Sequence, residues 1–372
     1  MKSLSDISKI VIKTLEEKGF KAYVVGGFVR NILMNIPPSD IDICTNALPH
    51  QIKSAFSDFK VIETGISHGT VTVVFENENV EITTYRIDGD YIGHRKPESV
   101  TFTPSLTEDL ARRDFTINAM ASDFLNIFDP FGGQEDLKNK IIRCVGDAEK
   151  RFLEDALRIL RALRFSAVLG FEIEKETKSA ILKLYKLLRF VSKERITDEF
   201  LKLINGKYAN DVLLQFSEVF LFLTGADTKN IAEKMHLYSS EGILALFPDT
   251  DFLRLSSKQE KRIRLLRENL NADIKSKEDI LMLLSKHGME NVSFLINALK
   301  NEAAEKILSE ILKNGDCFCV SMMKISGDDL LRLGFKGKEI GEKLREILEL
   351  VIKNQLENKK ETLISYAEKN IF

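Results

Sequence analysis

Two carboxylates set two residues apart in the run Ser39-Asp40-Ile41-Asp42-Ile43 constrain this chain more than any other stretch of it. Alternate side chains of a strand share a face, so both aspartates project together, alpha carbons about 6 to 7 Å apart, while the isoleucines enter a sheet. Like charges held at 4 Å repel by roughly 4 kcal/mol at an effective dielectric of 20. A divalent cation turns that repulsion into binding. Oxygen-only ligands sharing a site with a phosphate suit Mg²⁺, and paired cations stabilise both the entering and the leaving oxygens. An isolated D-x-D is also what an exposed polar strand face looks like, so its surroundings decide.

Just upstream, Val24-Val25-Gly26-Gly27-Phe28-Val29-Arg30 reads as strand, glycine turn and helix start. Bare backbone N–H groups and the helix dipole favour an anion there, and Arg30 on the first helical turn is placed to clamp a terminal phosphate. An amphipathic helix is expected over 3–19, with strands over 22–25, 40–43, near Val61, over 70–75 and over 80–85. Glu76-Asn77-Glu78-Asn79 suits a hairpin. A polar loop over 88–107, a helix over 110–120 and a turn at Asp129-Pro130-Phe131-Gly132-Gly133 follow. After about Val145 no strand is expected, and Leu, Ile, Lys and Glu recur at helical spacing to the end. The predicted fold is α+β: a head of 1–140 with a small mixed sheet and helices, then an all-α neck of 141–205 and an all-α body and tail of 206–372.

The combination G-G-x-V-R, nine intervening residues, then D-x-D resembles the nucleotidyltransferases of the DNA polymerase β superfamily, in particular the class II tRNA CCA-adding enzymes and bacterial poly(A) polymerases. The resemblance implies metal ligation by Asp40 and Asp42, a third acidic residue at Glu81 on a neighbouring strand, and nucleotide binding by Gly26, Gly27 and Arg30. Asn31 departs from the family's usual aspartate after the arginine. In Glu63-Thr64-Gly65-Ile66-Ser67-His68-Gly69-Thr70 the glycines would let backbone approach the nucleotide, whereas His68 reads equally as a turn residue. The loop over 86–107, with Gly89, Gly93 and Pro97, is long enough for a mobile lid. Family members restricted to C addition lack part of it, so its presence favours A addition. Glu108-Asp109-Leu110-Ala111-Arg112-Arg113-Asp114-Phe115-Thr116-Ile117-Asn118-Ala119-Met120 is a second family signature. It implies that Arg113, Asp114 and Asn118 serve phosphate, ribose and internal pairing, with Asp109 and Arg113 also spaced as an i,i+4 ion pair.

A helix expected over 151–161 has an apolar stripe of Leu153, Ala156, Leu157, Leu160 and Leu163, with Asp155 and Arg158 as neighbours on the opposite face. Cytosine and adenine each present an amino donor beside a ring-nitrogen acceptor, and uracil and guanine present the reverse. One carboxylate beside one guanidinium therefore accepts C and A, each bidentate contact discriminating by roughly 1 to 3 kcal/mol. E-D-x-x-R resembles the family's nucleobase-recognition motif, with Arg161 assigned to phosphate or to tuning the pair and Arg164 to a buried partner. Ser192-Lys193-Glu194-Arg195-Ile196-Thr197-Asp198-Glu199 resembles the family's last motif and reads as a structural brace. The glycine- and lysine-rich tail around Lys336-Gly337-Lys338 resembles the segment that grips the tRNA elbow, and both lysines are assigned to RNA.

A net charge of -2 gives no overall nucleic-acid signature. Four scattered cysteines, among them the Cys317/Cys319 pair, read as reduced thiols in a cytoplasmic protein, with no membrane span and no signal segment. The resemblance implies a Mg²⁺-dependent enzyme acting on tRNA with CTP and ATP. An A-only adder or a poly(A) polymerase is the alternative reading, and an inactive RNA-binding scaffold a further one. Sequence alone leaves the oligomeric state open.

Overall fold

A computed structural model describes residues 3–369 apart from Asn77, Asp90, 93–95 and Glu98. It divides into two compact units, Met1–Ala232 with Asp251–Arg254, and Glu233–Thr250 with Leu255–Phe372.

In the first unit, α1 (Leu4–Glu17) opens on a capping box in which Ser3 Oγ accepts from Asp6 N at 3.2 Å. Then come β1 (Ala22–Val25), α2 (Gly27–Leu33), β2 (Ile41–Thr45), α3 (Pro49–Ala55), β3 (Lys60–Ile62), β4 (Thr70–Phe75) and β5 (Glu78–Thr84). The chain continues through β6 (Arg86–Asp88), β7 (Tyr91–Ile92), β8 (Lys96–Pro97), β9 (Val100–Phe102), α4 (Leu106–Ala111), β10 (Ala121–Ser122), β11 (Ile127–Phe128) and α5 (Gly133–Asn139). One mixed sheet runs β11-β10-β1-β2-β5-β4-β3, with β2 parallel to β5 and the other pairs antiparallel. Alternation sorts its faces. Val24, Ile41, Ile43, Val71, Val73, Val80 and Ile82 pack in one cluster with Ile7, Val11 and Leu15 of α1, Phe28 of α2 and Ile52 of α3. Burial of each such side chain contributes about 1.5–3 kcal/mol. The opposite face is partly covered by Leu110 of α4 on Val25, Cys44 and Tyr85, and otherwise carries Asp42 and Glu81.

Three expectations needed correction. The helix expected over 110–120 does not form: α4 ends at Ala111 and only a 3₁₀ turn, Thr116–Asn118, follows. Asp114 Oδ1 accepts from Phe115 N at 2.8 Å, a local bond that competes with helix, and the extended Phe115 buries its ring completely and bridges to Cys144. Second, the polar loop over 88–107 contains paired chain, β6 with β9 and β7 with β8. Gly93 of that loop and Asn77 of the hairpin tetrapeptide lie outside the described residues. Third, a strand does occur beyond Val145, as shown below.

The remainder of this unit includes β12 (Ile141–Ile142), α6 (Ala148–Glu154), α7 (Leu157–Leu169), β13 (Glu172–Ile173), α8 (Lys175–Leu184) and α9 (Lys193–Ile204). The short parallel pair β12 and β13 has too few residues to show a period. The second unit has helices and no strand among its described residues, its longer helices running Ser257–Asn269, Lys277–His287, Glu302–Asn314 and Lys338–Ile352. Ser256, Ser276 and Asn301 cap the first three. Among the described residues no helix is long and apolar enough to cross a membrane. All four cysteines are free thiols, Cys44 and Cys144 buried.

Candidate active site

Asp42 on β2 pairs in register with Glu81 on β5, so carboxylates from two strands share the sheet's polar face. Asp40 lies one residue before β2, exposed, with Ser39 Oγ donating to its Oδ1 at 2.9 Å. Burial first, and then the Asp40 charge, push the Asp42 carboxyl up to about 6; Glu81 adds to this and Arg113 opposes it. The Arg113 charge does not fully offset burial and the neighbouring carboxylates, and a divalent cation would add the positive charge that favours the ionised form. The all-oxygen donor set fits a hard cation. Among the described residues no three acidic, His or Cys side chains converge on one point, so water and substrate phosphate would complete the coordination.

Gly26 holds φ at 65° at the start of α2, a backbone that only glycine adopts readily. A Cβ there would sit 3.2 Å from Arg113 Nη1 and 3.9 Å from Asp42 Oδ2. The turn therefore lies against both Asp42 and Arg113. The first amides of α2, beginning at Gly27, have no partner inside the helix and suit phosphate oxygens. Arg30 donates from Nη1 to Asn118 Oδ1 at 2.7 Å, and from Nη2 and Nε to Asn31 Oδ1 at 2.9 and 3.2 Å. The Asn31 amide oxygen thus serves where an aspartate was expected, without adding a charge. Burial, and then the Arg164 charge, lower Arg30 to about 10.

Asn118 Nδ2 donates to Asp114 Oδ1 at 3.2 Å, and Asp114 Oδ2 accepts from Arg161 Nε and Nη2 at 2.8 and 2.7 Å. Burial pushes the Asp114 carboxyl up, but the Arg161 charge and hydrogen bond, with the bond from Asn118, outweigh it and hold it at about 2. Arg161 also meets Glu199 at 3.3 Å, and Glu199 pairs with Arg164, the buried partner expected of it. The guanidiniums of Arg30, Arg161 and Arg164 all lie over the Phe165 ring. Arg161 is therefore a brace between α7 and the head's signature turn. Arg113 is backed by Asp109, fully buried, at 3.4 Å, and Arg112 meets the same carboxylate at 2.8 Å.

The helix expected over 151–161 breaks, which corrects the facing pair read from its spacing. Asp155 is extended (φ -137°, ψ 103°) between α6 and α7, and its Oδ1 accepts from Leu157 N at 3.2 Å. Leu153, counted on the apolar stripe, is 45% exposed, whereas Arg158 is 8% exposed. Asp155 takes a two-point grip from Arg195 of α9, Nη1 to Oδ1 at 3.1 Å and Nη2 to Oδ2 at 2.7 Å. Arg158 Nη1 donates to Glu154 Oε2 at 2.9 Å and its Nη2 to the Arg112 carbonyl at 2.8 Å. Beside Glu154 opens a pocket of about 310 Å³ lined by Ile87, Asp88, Arg112 and Arg151 among others. Nothing in the linear sequence couples residues 155 and 195, forty positions apart, so Arg195 was read only as structural.

His68 belongs to a 3₁₀ turn, and its carbonyl accepts from Arg86. In the second unit Lys336 and Lys338 are exposed at the start of the helix Lys338–Ile352, where Glu339 Oε2 accepts from Lys336 N at 3.2 Å. A groove of about 970 Å³ in that unit, lined by Met282, Lys286, His287, Leu344 and Arg345 among others, contains none of the carboxylates described above.

Residues 22–143 match the family described as "Poly A polymerase head domain", and residues 170–222 match "Probable RNA and SrmB- binding site of polymerase A". A CCA-adding enzyme of Lactobacillus helveticus is 37% identical over 393 residues, covering 96% of this chain and 95% of its own. The chain belongs to the CCA-adding enzyme family. One from Geobacillus thermodenitrificans reaches 50% identity over 212 residues, 57% of this chain and 52% of its own. The crystal structure of the Bacillus stearothermophilus CCA-adding enzyme in complex with CTP superposes with a TM-score of 0.85 at 31% identity, covering 100% of this chain and 98% of the other. Membership makes this protein a nucleotidyltransferase.

Proposed function

We propose that this enzyme adds C and A, from CTP and ATP, to the 3′ end of tRNA, with Mg²⁺ held by Asp40 and Asp42 and the base chosen by Asp155 and Arg158. Residues 1–140 form the catalytic head, 141–205 the neck that reads the base, and 206–372 the body and tail that hold tRNA through Lys336 and Lys338. The observation that supports the reading is the Asp42–Glu81 register beside the Gly26 turn, which suits a cation on the carboxylates and a phosphate on the turn.

The acceptor's 3′ oxygen forms a bond to the nucleotide's α-phosphorus as the bond to the pyrophosphate oxygen breaks. Mg²⁺ held by Asp40 and Asp42 would, when bound, offset charge on the phosphate oxygens and favour the ionised 3′ hydroxyl. Glu81, exposed next to Asp42, is placed to receive that proton. The amides following Gly26 and the Arg30 guanidinium hold the triphosphate, and Arg113 neutralises it from the Asp109 side. Asn118 fixes the Arg30 fork and Asp114 fixes Asn118, so their role is to aim Arg30 and to meet the ribose. Asp155 accepts the amino proton of cytosine or adenine and Arg158 donates to the ring nitrogen beside it. The loop over 86–107, with β6 paired to β9, is the one of which C-only members lack part, and its presence supports A addition.

The test is a Mg²⁺ titration of CTP incorporation into tRNA lacking its terminal CCA, in the wild type and Asp42→Asn. Saturable dependence on Mg²⁺ is expected, with a loss of about 10²-fold or more in the variant. Metal-independent incorporation would refute it.

A further inference from the structure

The hydrogen bonds around Asp155 and Arg158 use up most, though not all, of what each side chain offers. A carboxylate has about four acceptor positions and a guanidinium five N–H donors. Asp155 Oδ1 accepts from Arg195 Nη1 at 3.1 Å and from Leu157 N at 3.2 Å, and Oδ2 accepts from Arg195 Nη2 at 2.7 Å. One acceptor position is left, on Oδ2. Arg158 Nη1 donates to Glu154 Oε2 at 2.9 Å and to the Arg151 carbonyl at 3.4 Å, and Nη2 donates to the Arg112 carbonyl at 2.8 Å. Two donors are left. The unused remainder, one acceptor on Asp155 and two donors on Arg158, supplies the kinds of partner that an amino group beside a ring nitrogen needs.

We propose that Arg195 is a positioning residue for base selection. By holding both oxygens of Asp155 it fixes the carboxylate plane, leaves a single acceptor site, and keeps Asp155 from turning onto Arg158 three residues away. If those two side chains paired with each other, acceptor and donor would both be consumed and the distinction between C or A and U or G would vanish. Arg195 can do this because its fork is planar and rooted on α9, which packs along α7. A lysine there keeps the charge but holds one point only. The inference rests on the base-reading role proposed for Asp155.

The test compares kcat/KM for CTP against UTP, and for ATP against GTP, in the wild type, Arg195→Lys, Asp155→Asn and the double variant, on tRNA ending before the residue to be added. Arg195→Lys is expected to lower both ratios by about tenfold or more, mainly through a higher KM for the correct nucleotide, and the double variant to lose no more than Asp155→Asn alone. A merely structural role for Arg195 would lower the rates for all four nucleotides together and leave the ratios unchanged. If Asp155→Asn lowers the ratios while Arg195→Lys keeps wild-type values, the Arg195 inference is wrong. If Asp155→Asn itself leaves them unchanged, the base-reading role of Asp155 fails first.

Discussion

Two residues carry much of the site's geometry. Gly26 combines a left-handed backbone with close approach to Arg113 and Asp42. Gly26→Ala is expected to cost about 1 kcal/mol or more of stability from the strained φ, and to lower kcat/KM about 10²-fold by displacing the Arg113 guanidinium. Steady-state kinetics beside thermal denaturation check both. Asp114 is the other. Its folded carboxyl lies at about 2, below the ordinary value of about 3.9, so it stabilises the fold fully above that value and loses this contribution as pH falls through about 2. The wild type's stability advantage over Asp114→Asn, measured by urea denaturation, should therefore be largest near neutrality and shrink steadily below pH of about 4. Strand alternation made Asp42 legible in the sequence as a carboxylate on the sheet's polar face, whereas Glu81 came from the family resemblance and Asp40 lies one residue before β2. Arg195 was not legible, since its partner is forty positions away and only folding makes the pair.

At the scale of elements, the five strands expected in the sequence lie close to their observed positions, β1 and β4 residue for residue, while the short strands of 86–102 and 141–173 were not expected. Apolar alternation is a local property, and the sheet enforces it. Both misread helices, over 110–120 and 151–161, were continued through an aspartate whose carboxylate bonds a backbone N–H just beyond it: Asp114 to Phe115, Asp155 to Leu157. Periodicity counts apolar positions and is blind to that competition. The 3₁₀ turn that results is held from behind by α5, whose Asp136 Oδ2 accepts from Thr116 Oγ1 at 2.6 Å. A Cβ on Gly133 would lie 2.2 Å from the Thr116 carbonyl. Gly133→Ala should accordingly push the turn and Asn118 away from Arg30, lowering the melting temperature by several degrees and raising KM for CTP and ATP alike. An unchanged KM would show that Arg30 is aimed by Asn31 alone.

For the molecule as a whole, the first unit contains every residue proposed to touch the nucleotide, and the second contains the exposed lysines proposed to touch RNA. Lys336→Glu with Lys338→Glu should raise KM for tRNA, flatten its salt dependence by about one to two in slope, and leave KM for CTP unaltered. The partition into an α/β front and a helical remainder was legible from the change in periodicity, whereas the boundary between compact units depends on contacts distant in sequence. The central claim is that one protein site reads two bases and then stops. Sequencing the 3′ ends made from tRNA lacking its terminal CCA, with all four nucleotides present, tests it most directly. The account predicts C, C and A added in that order with no further extension. Products containing U or G, an A run of indefinite length, or no C at all would contradict it.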